Sequence, residues 1–174
     1  MLPEKYKALS DEQTIPLISD EKDKLNDKVM ILAHHYQRDE VVRFADEVGD
    51  SLYLSMKAAK SDKPYIIFCG VRFMAETADM VTNDNKVVIL PDLNAGCPMA
   101  DMASVSQVEQ AWQDLGKIEN VDDYIPITYI NSSAETKAFC GQNNGLVCTS
   151  ANAEKIIKSI FTAYVNAFII ITYM

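Results

Sequence analysis

The chain has 174 residues, 48% of them hydrophobic and 24% charged, with a net charge of −9. That composition suits one medium or two small globular domains with a buried core, and the acidic balance argues against nucleic acid or an anionic membrane as a partner. Small anions are not excluded, because helix N-termini bind them without cationic side chains.

Residues 1–27 are polar and charged, with no apolar run behind a basic patch; they do not resemble a signal peptide, and a cytoplasmic location is expected. Ser10-Asp11-Glu12-Gln13 has the form of a capping box opening a short helix. Lys28 to Ala33 reads as a buried strand. Ala33-His34-His35-Tyr36-Gln37 follows at its end. Two imidazoles and a phenol there suit acid–base work or the gripping of an anion; solvated loop residues are the plain alternative. Arg38 to Val48 reads as a helix, with apolar residues at Val41, Val42, Phe44, Ala45 and Val48.

Gly49-Asp50-Ser51-Leu52 starts the next helix, Leu52 to Ala59, with Asp50 as N-cap and Ser51 offering a hydroxyl at the helix start. Tyr65 to Cys69 is an apolar strand in which Cys69 is expected in the core. Gly70 turns the chain into a helix from Phe73 to Met80, whose Phe73 and Met74 read as packing or as a pocket wall. The strand Lys86 to Leu90 leads to Pro91-Asp92-Leu93-Asn94-Ala95-Gly96-Cys97. A thiol on a Gly/Pro turn past a strand's C-terminal edge lies where parallel α/β sheets place ligands.

A looser version of this order then recurs. Ser106-Gln107-Val108-Glu109 matches a capping box with Ser106 as N-cap, opening a helix through Trp112. Ile125 to Ile130 is a strand, and Tyr129 and Asn131 are expected on one side of it. Ser132-Ser133-Ala134-Glu135 is a second capping-box candidate, for a helix to Phe139. Gly145 to Cys148 is a short strand, and Thr149-Ser150 caps a helix from Ala151 to Ile160. The stretch Ala167 to Ile171 is a candidate for the next strand, too short for a membrane span. Strand–helix alternation implies parallel sheets covered by helices, with two related units over residues 28–98 and 99–174 behind the lead of residues 1–27. The four cysteines form no CxxC pair and are expected as reduced thiols or metal ligands.

Six segments together resemble quinolinate synthase of de novo NAD biosynthesis. They are Ile31 to Gln37, Val48 to Leu52, Phe68 to Ala78, Pro91 to Cys97, Tyr129 to Glu135 and Val147 to Ala153, in the family's order. The resemblance implies a pseudo-threefold architecture of three αβα domains around one active site, of which this chain holds one complete and one incomplete. It implies a transferase that condenses iminoaspartate with dihydroxyacetone phosphate, releasing phosphate and water, with a 4Fe–4S cluster as Lewis acid. An iminoaspartate-producing oxidase upstream is the implied partner.

Carried over residue by residue, the resemblance makes Cys97 the first of three cluster ligands. His34 and Ser51 become iminoaspartate-binding positions in the first domain, with Tyr129, Asn131 and Ser150 in the second. Tyr36, with His34, becomes a candidate for catalysis by proton transfer. Cys140 and Cys148 match no family ligand. The third domain and two further cluster cysteines have no counterpart, and beyond about residue 161 the resemblance is expected to lapse. A truncated or frameshifted, catalytically inactive product is therefore the alternative expectation.

Overall fold

The computed structural model describes residues 3–163 and 168–172. The chain forms two compact units, residues 1–93 and 94–174, each an α/β layer structure with an all-parallel sheet.

In the first unit a single turn, α1 (Glu4–Lys7), precedes α2 (Asp11–Leu25). Ser10 caps α2 in a reciprocal box with Gln13, as its sequence dictates, but the helix runs on past Pro16 to Leu25 instead of staying short. Then come β1 (Val29–His34), α3 (Asp39–Val42), β2 (Glu47–Gly49), α4 (Ser51–Lys60), β3 (Tyr65–Cys69), α5 (Arg72–Val81) and β4 (Val87–Ile89). The strand order is β2-β1-β3-β4. Alternation along the strands divides the core. Leu32, Ile66 and Phe68 are fully buried, as are Leu54 and Ala58 of α4 and Ala78 of α5. Val29, Ile31 and Ile67 instead meet Leu17, Ile18 and Leu25 of α2 around an apolar groove of about 410 Å³. The sheet is thus covered on both faces.

The helix expected over Arg38 to Val48 is one turn followed by a strand. The backbone of Asp46 donates to the Ile31 carbonyl (2.7 Å), and its carboxylate accepts the Ile31 N–H (2.8 Å). Lys22 reaches across from α2 to the Phe44 carbonyl (2.8 Å) and to Asp46 (2.6 Å). These bonds draw the chain onto the edge of β1, where Leu32, Ala33 and His34 pair with Glu47, Val48 and Gly49. Ladder pairing here overrides the helical spacing of the valines.

The N-cap of α4 is Asp50, as its sequence indicates; its carboxylate accepts the Tyr53 N–H at 2.8 Å. Asp50→Ala is expected to cost about 1 kcal/mol of stability, read as a lower urea midpoint with an unchanged slope.

The second unit contains α6 (Val105–Leu115), β5 (Tyr124–Tyr129), α7 (Ala134–Gln142), β6 (Leu146–Cys148), α8 (Ala153–Ala163) and β7 (Phe168–Thr172), with strand order β6-β5-β7. Two of its caps differ from expectation. The cap of α6 is Ser104, not Ser106, in a box with Gln107, whose amide oxygen accepts the Ser104 N–H (2.9 Å). A glutamine closes the box as well as a glutamate. The cap of α7 is Ser133, because Ser132 turns its hydroxyl back to the Tyr129 carbonyl (2.7 Å). Further on, α8 begins at Ala153, after a turn in which the Asn152 side chain accepts the Thr149 N–H (2.7 Å). Val108, Phe139 and Cys140 form one buried cluster with Trp112 packed against it. Ile125, Ile127, Cys148 and Ile160 form the other.

Candidate functional site

In a parallel sheet of order β2-β1-β3-β4, the chain leaves β1 toward one edge and β3 toward the other. The divergence opens a crevice at the C-terminal ends of these two strands, where such sheets bind ligands. His34 is the last residue of β1, in register with Gly49 at the end of β2. It is buried, at 6% exposure, and its ring lies 3.9 Å from that of Tyr36 and 4.2 Å from that of His35, centre to centre. Burial is the main force pushing the imidazolium pKa down, to about 4; the neighbouring His35 adds to the shift, and Asp50 opposes it. His34 is therefore neutral at pH 7. Its Nδ1 accepts the Tyr36 backbone N–H (3.4 Å), which assigns the ring proton to Nε2 and makes that atom a hydrogen-bond donor.

Tyr36 is half-exposed, and its hydroxyl points at the Met74 thioether 3.9 Å away, across to the α5 side of the crevice. Met74, read from sequence as packing or pocket wall, is buried in the core. Ser51 is the first residue of α4 and is buried. A Cβ on Gly49 would lie 2.4 Å from the Tyr53 ring, so a larger residue there would push that side chain off its bond to Glu47.

The second unit repeats the pattern. Tyr129 ends β5 in register with Cys148 at the end of β6. The Ile130 N–H bonds to the Cys148 carbonyl (2.8 Å) as the His35 N–H bonds to that of Gly49 (3.1 Å). Two residues past Cys148 stands Ser150, two past Gly49 stands Ser51. The Tyr129 and Ser150 hydroxyls are hydrogen-bonded at 2.8 Å. Asn131 is not on the strand with Tyr129, as expected, but in the turn that Ser132 closes. There it lines a cavity of about 30 Å³, the size of one water, with Thr128, Ser132 and Thr136. Each unit thus gathers neutral hydrogen-bonding groups at a strand end, a surface suited to carboxylate or phosphate oxygens.

Lys137 is missing from the sequence reading. Its ammonium is buried and donates to the Ser132 carbonyl. The available signal was a lysine on the inward stripe of α7, beside Thr136 and one turn before Cys140.

The cysteines were tested against a three-thiolate cluster. Cys140 and Cys148 are buried in separate clusters. Burial raises the Cys140 thiol pKa to about 11, against a smaller opposing pull from Lys137, and raises that of Cys148 as well. Cys69, expected in the core, is only partly buried at the end of β3, though burial also raises its thiol. Cys97 is partly exposed in the loop after β4. Among the described residues, no three His, Cys, Asp or Glu side chains converge on a point that would hold a metal. The residues present do not fit a complete cluster set. Cys97 is expected to react first with a thiol reagent, the other three slowly; Cys97→Ser should remove the fast phase.

Comparison with known proteins adds an independent line. The family described as quinolinate synthetase A protein (NadA) matches residues 18–170, beyond residue 161, where the resemblance was expected to lapse. A protein from Bacillus cereus named quinolinate synthase is 53% identical over 163 residues. A second Bacillus cereus protein and one from Bacillus anthracis, both of that name, are 52% identical. Each alignment covers 93% of this chain and 44% of the relative, so the chain spans less than half the length of the curated relatives it matches.

Proposed function

Since the chain belongs to the quinolinate synthase family, we propose that it carries iminoaspartate-binding residues of a quinolinate synthase. The reaction is the condensation of iminoaspartate with dihydroxyacetone phosphate to quinolinate, with loss of phosphate and water. The observation that supports this reading is the repeated strand-end set, His34 with Ser51 and Tyr129 with Ser150, in a chain of this family.

In this reading the neutral His34 donates from Nε2 to a substrate carboxylate, and Ser51 offers its hydroxyl together with the first-turn N–H groups of α4 that Asp50 does not cap. Tyr129, Asn131 and Ser150 supply hydrogen bonds in the second unit. A neutral donor array suits a dianionic substrate that must later leave, because it holds the carboxylates without a buried ion pair. Tyr36, its ring tilted against that of His34, is the group that would move a proton at its phenol oxygen. The family's 4Fe–4S cluster supplies Lewis-acid chemistry when bound. Cys97 is the residue of this chain assigned toward it.

The four free thiols suit a reducing cytoplasm, where we place the chain; no helix among the described residues is long and apolar enough to cross a membrane. The partners in this reading are the two small substrates and an oxidase that makes iminoaspartate. A second reading is that the chain by itself does not turn over substrate, since of the three cluster cysteines that the family resemblance implies only Cys97 has a counterpart in its sequence.

The test is a chimera in which residues 18–170 replace the matching part of the Bacillus cereus relative. After anaerobic reconstitution with iron and sulfide it should form quinolinate from the two substrates. Ser150→Ala in it should lower kcat/KM about tenfold, the value of one lost hydrogen bond. A chimera that folds and holds iron but makes no quinolinate would overturn the proposal.

A further inference from the structure

Lys137 is an unusual residue in this fold: a lysine at 7% exposure on an otherwise ordinary helix. Lysine is rarely buried without a specific use for its ammonium. Here the ammonium donates to the carbonyl of Ser132. Ser132 in turn donates its hydroxyl to the carbonyl of Tyr129 (2.7 Å), and the Tyr129 hydroxyl is bonded to that of Ser150 (2.8 Å). A continuous run of hydrogen bonds and backbone therefore leads from α7 through the turn holding Asn131 to the hydroxyl pair at the ends of β5 and β6.

We propose that Lys137 is a positioning residue for the strand-end site of the second unit, fixing the turn of residues 130–133 so that Asn131 and Tyr129 face an anionic ligand together. The inference rests on the reading of that site as a dicarboxylate subsite. A turn this short has no ladder of its own: β5 ends at Tyr129 and α7 begins at Ala134. Beyond the Ile130 N–H, which bonds to the Cys148 carbonyl, its geometry is set by side chains. Ser132 and Ser133 fold it locally, the first through the Tyr129 carbonyl and the second by capping α7. Lys137 reaches the Ser132 carbonyl from one turn deeper in the helix, and a charged donor holds a buried carbonyl more firmly than a neutral one. The small cavity lined by Thr128, Asn131, Ser132 and Thr136 leaves Asn131 room to shift by a water's width if the turn loosens.

The experiment compares the intact chain with Lys137→Met, which keeps the side chain's length and removes the donor, and with Lys137→Arg, which restores a charged donor. Amide hydrogen exchange in the turn is read by NMR at Ile130, whose N–H is bonded to the Cys148 carbonyl (2.8 Å), alongside the unfolding midpoint of the unit from Trp112 fluorescence. Expected is exchange faster on the order of tenfold at the turn in Lys137→Met, with β5 amides unchanged, and recovery in Lys137→Arg. Affinity for L-malate, a stable C4 dicarboxylate, should fall about tenfold in the same variant. Turn amides that exchange as in the parent chain, or a uniform acceleration across β5 and α7, would overturn the inference by reducing Lys137 to a general core residue. If the parent chain binds no malate, the dicarboxylate reading of the site fails, and the exchange result still decides whether Lys137 fixes the turn.

Discussion

Gly145→Ala is expected to destabilise the second unit by about 3 kcal/mol or more, the upper range for overpacking a rigid site. The reason is backbone crowding at the entrance to β6. A Cβ on Gly145 would lie 2.2 Å from the Pro126 carbonyl oxygen and 2.7 Å from that of Cys140, with Pro126 Cγ at 2.8 Å. No side-chain rotation relieves a clash with two carbonyls. The Gly145 N–H also donates to the Cys140 carbonyl (2.7 Å), so moving the chain away breaks a bond that terminates α7. The consequence reaches the site, because β6 places Cys148 in register with Tyr129 and leads into Ser150. The chain's single tryptophan, Trp112, packs edge-on against Phe139 at 5.7 Å in this unit and reports its unfolding directly. A urea midpoint unchanged from the parent chain would show that the packing at Gly145 is looser than described.

The second large effect is a loss of stability in acid that His34 controls. In the folded chain its pKa is lowered to about 4 from an ordinary 6.5, chiefly by burial. Between these values the unfolded chain takes up a proton that the folded chain refuses, so stability rises with pH across that window. Below about pH 4 both states are protonated and the dependence from this group ends; above 6.5 both are neutral and its contribution is fully present. A shift of that size corresponds to about 3 kcal/mol across the window. His34→Asn, which cannot titrate, should flatten the dependence of the first unit between pH 4 and 6.5, measured by hydrogen exchange in β1 and β3. A parent chain with no greater slope there than the variant would mean that folding leaves the proton affinity of His34 unchanged, contrary to the effect of its burial.

The apolar strands and the strand-end residues were legible in the sequence for a common physical reason. Ile31-Leu32-Ala33 and Ile66-Ile67-Phe68 are continuous apolar runs of the kind that parallel strands need, covered on both faces. Whatever polar residues follow such a run must emerge at the sheet's edge, which singles out His34, Tyr36 and Tyr129 without any knowledge of contacts. The β2 strand was not legible, because Glu47-Val48-Gly49 is three residues long and is held in place through Asp46, whose partners Ile31 and Lys22 are distant in sequence. The caps at Ser104 and Ser133 were misjudged by one or two positions because neighbouring serines fit the same pattern; only the hydrogen bonds choose between them. Lys137 was invisible for a different reason. Hydrophobic periodicity treats every lysine as solvated, and its value lies in one carbonyl that the fold brings to it. Cys97 stood out as a thiol on a turn, but a cluster is a property of three ligands, and position along a chain shows only one at a time.

The most direct test of the account is a chemical-shift titration of the intact chain with L-malate, following backbone amides by NMR. The account predicts saturable shifts at His34 to Tyr36 and Ser51, and at Tyr129 to Asn131 and Ser150, removed from each unit by Ser51→Ala and Ser150→Ala respectively. Shifts confined to other surfaces, or none at these strand ends at millimolar malate, would contradict the claim that the two repeated edges are carboxylate-binding surfaces.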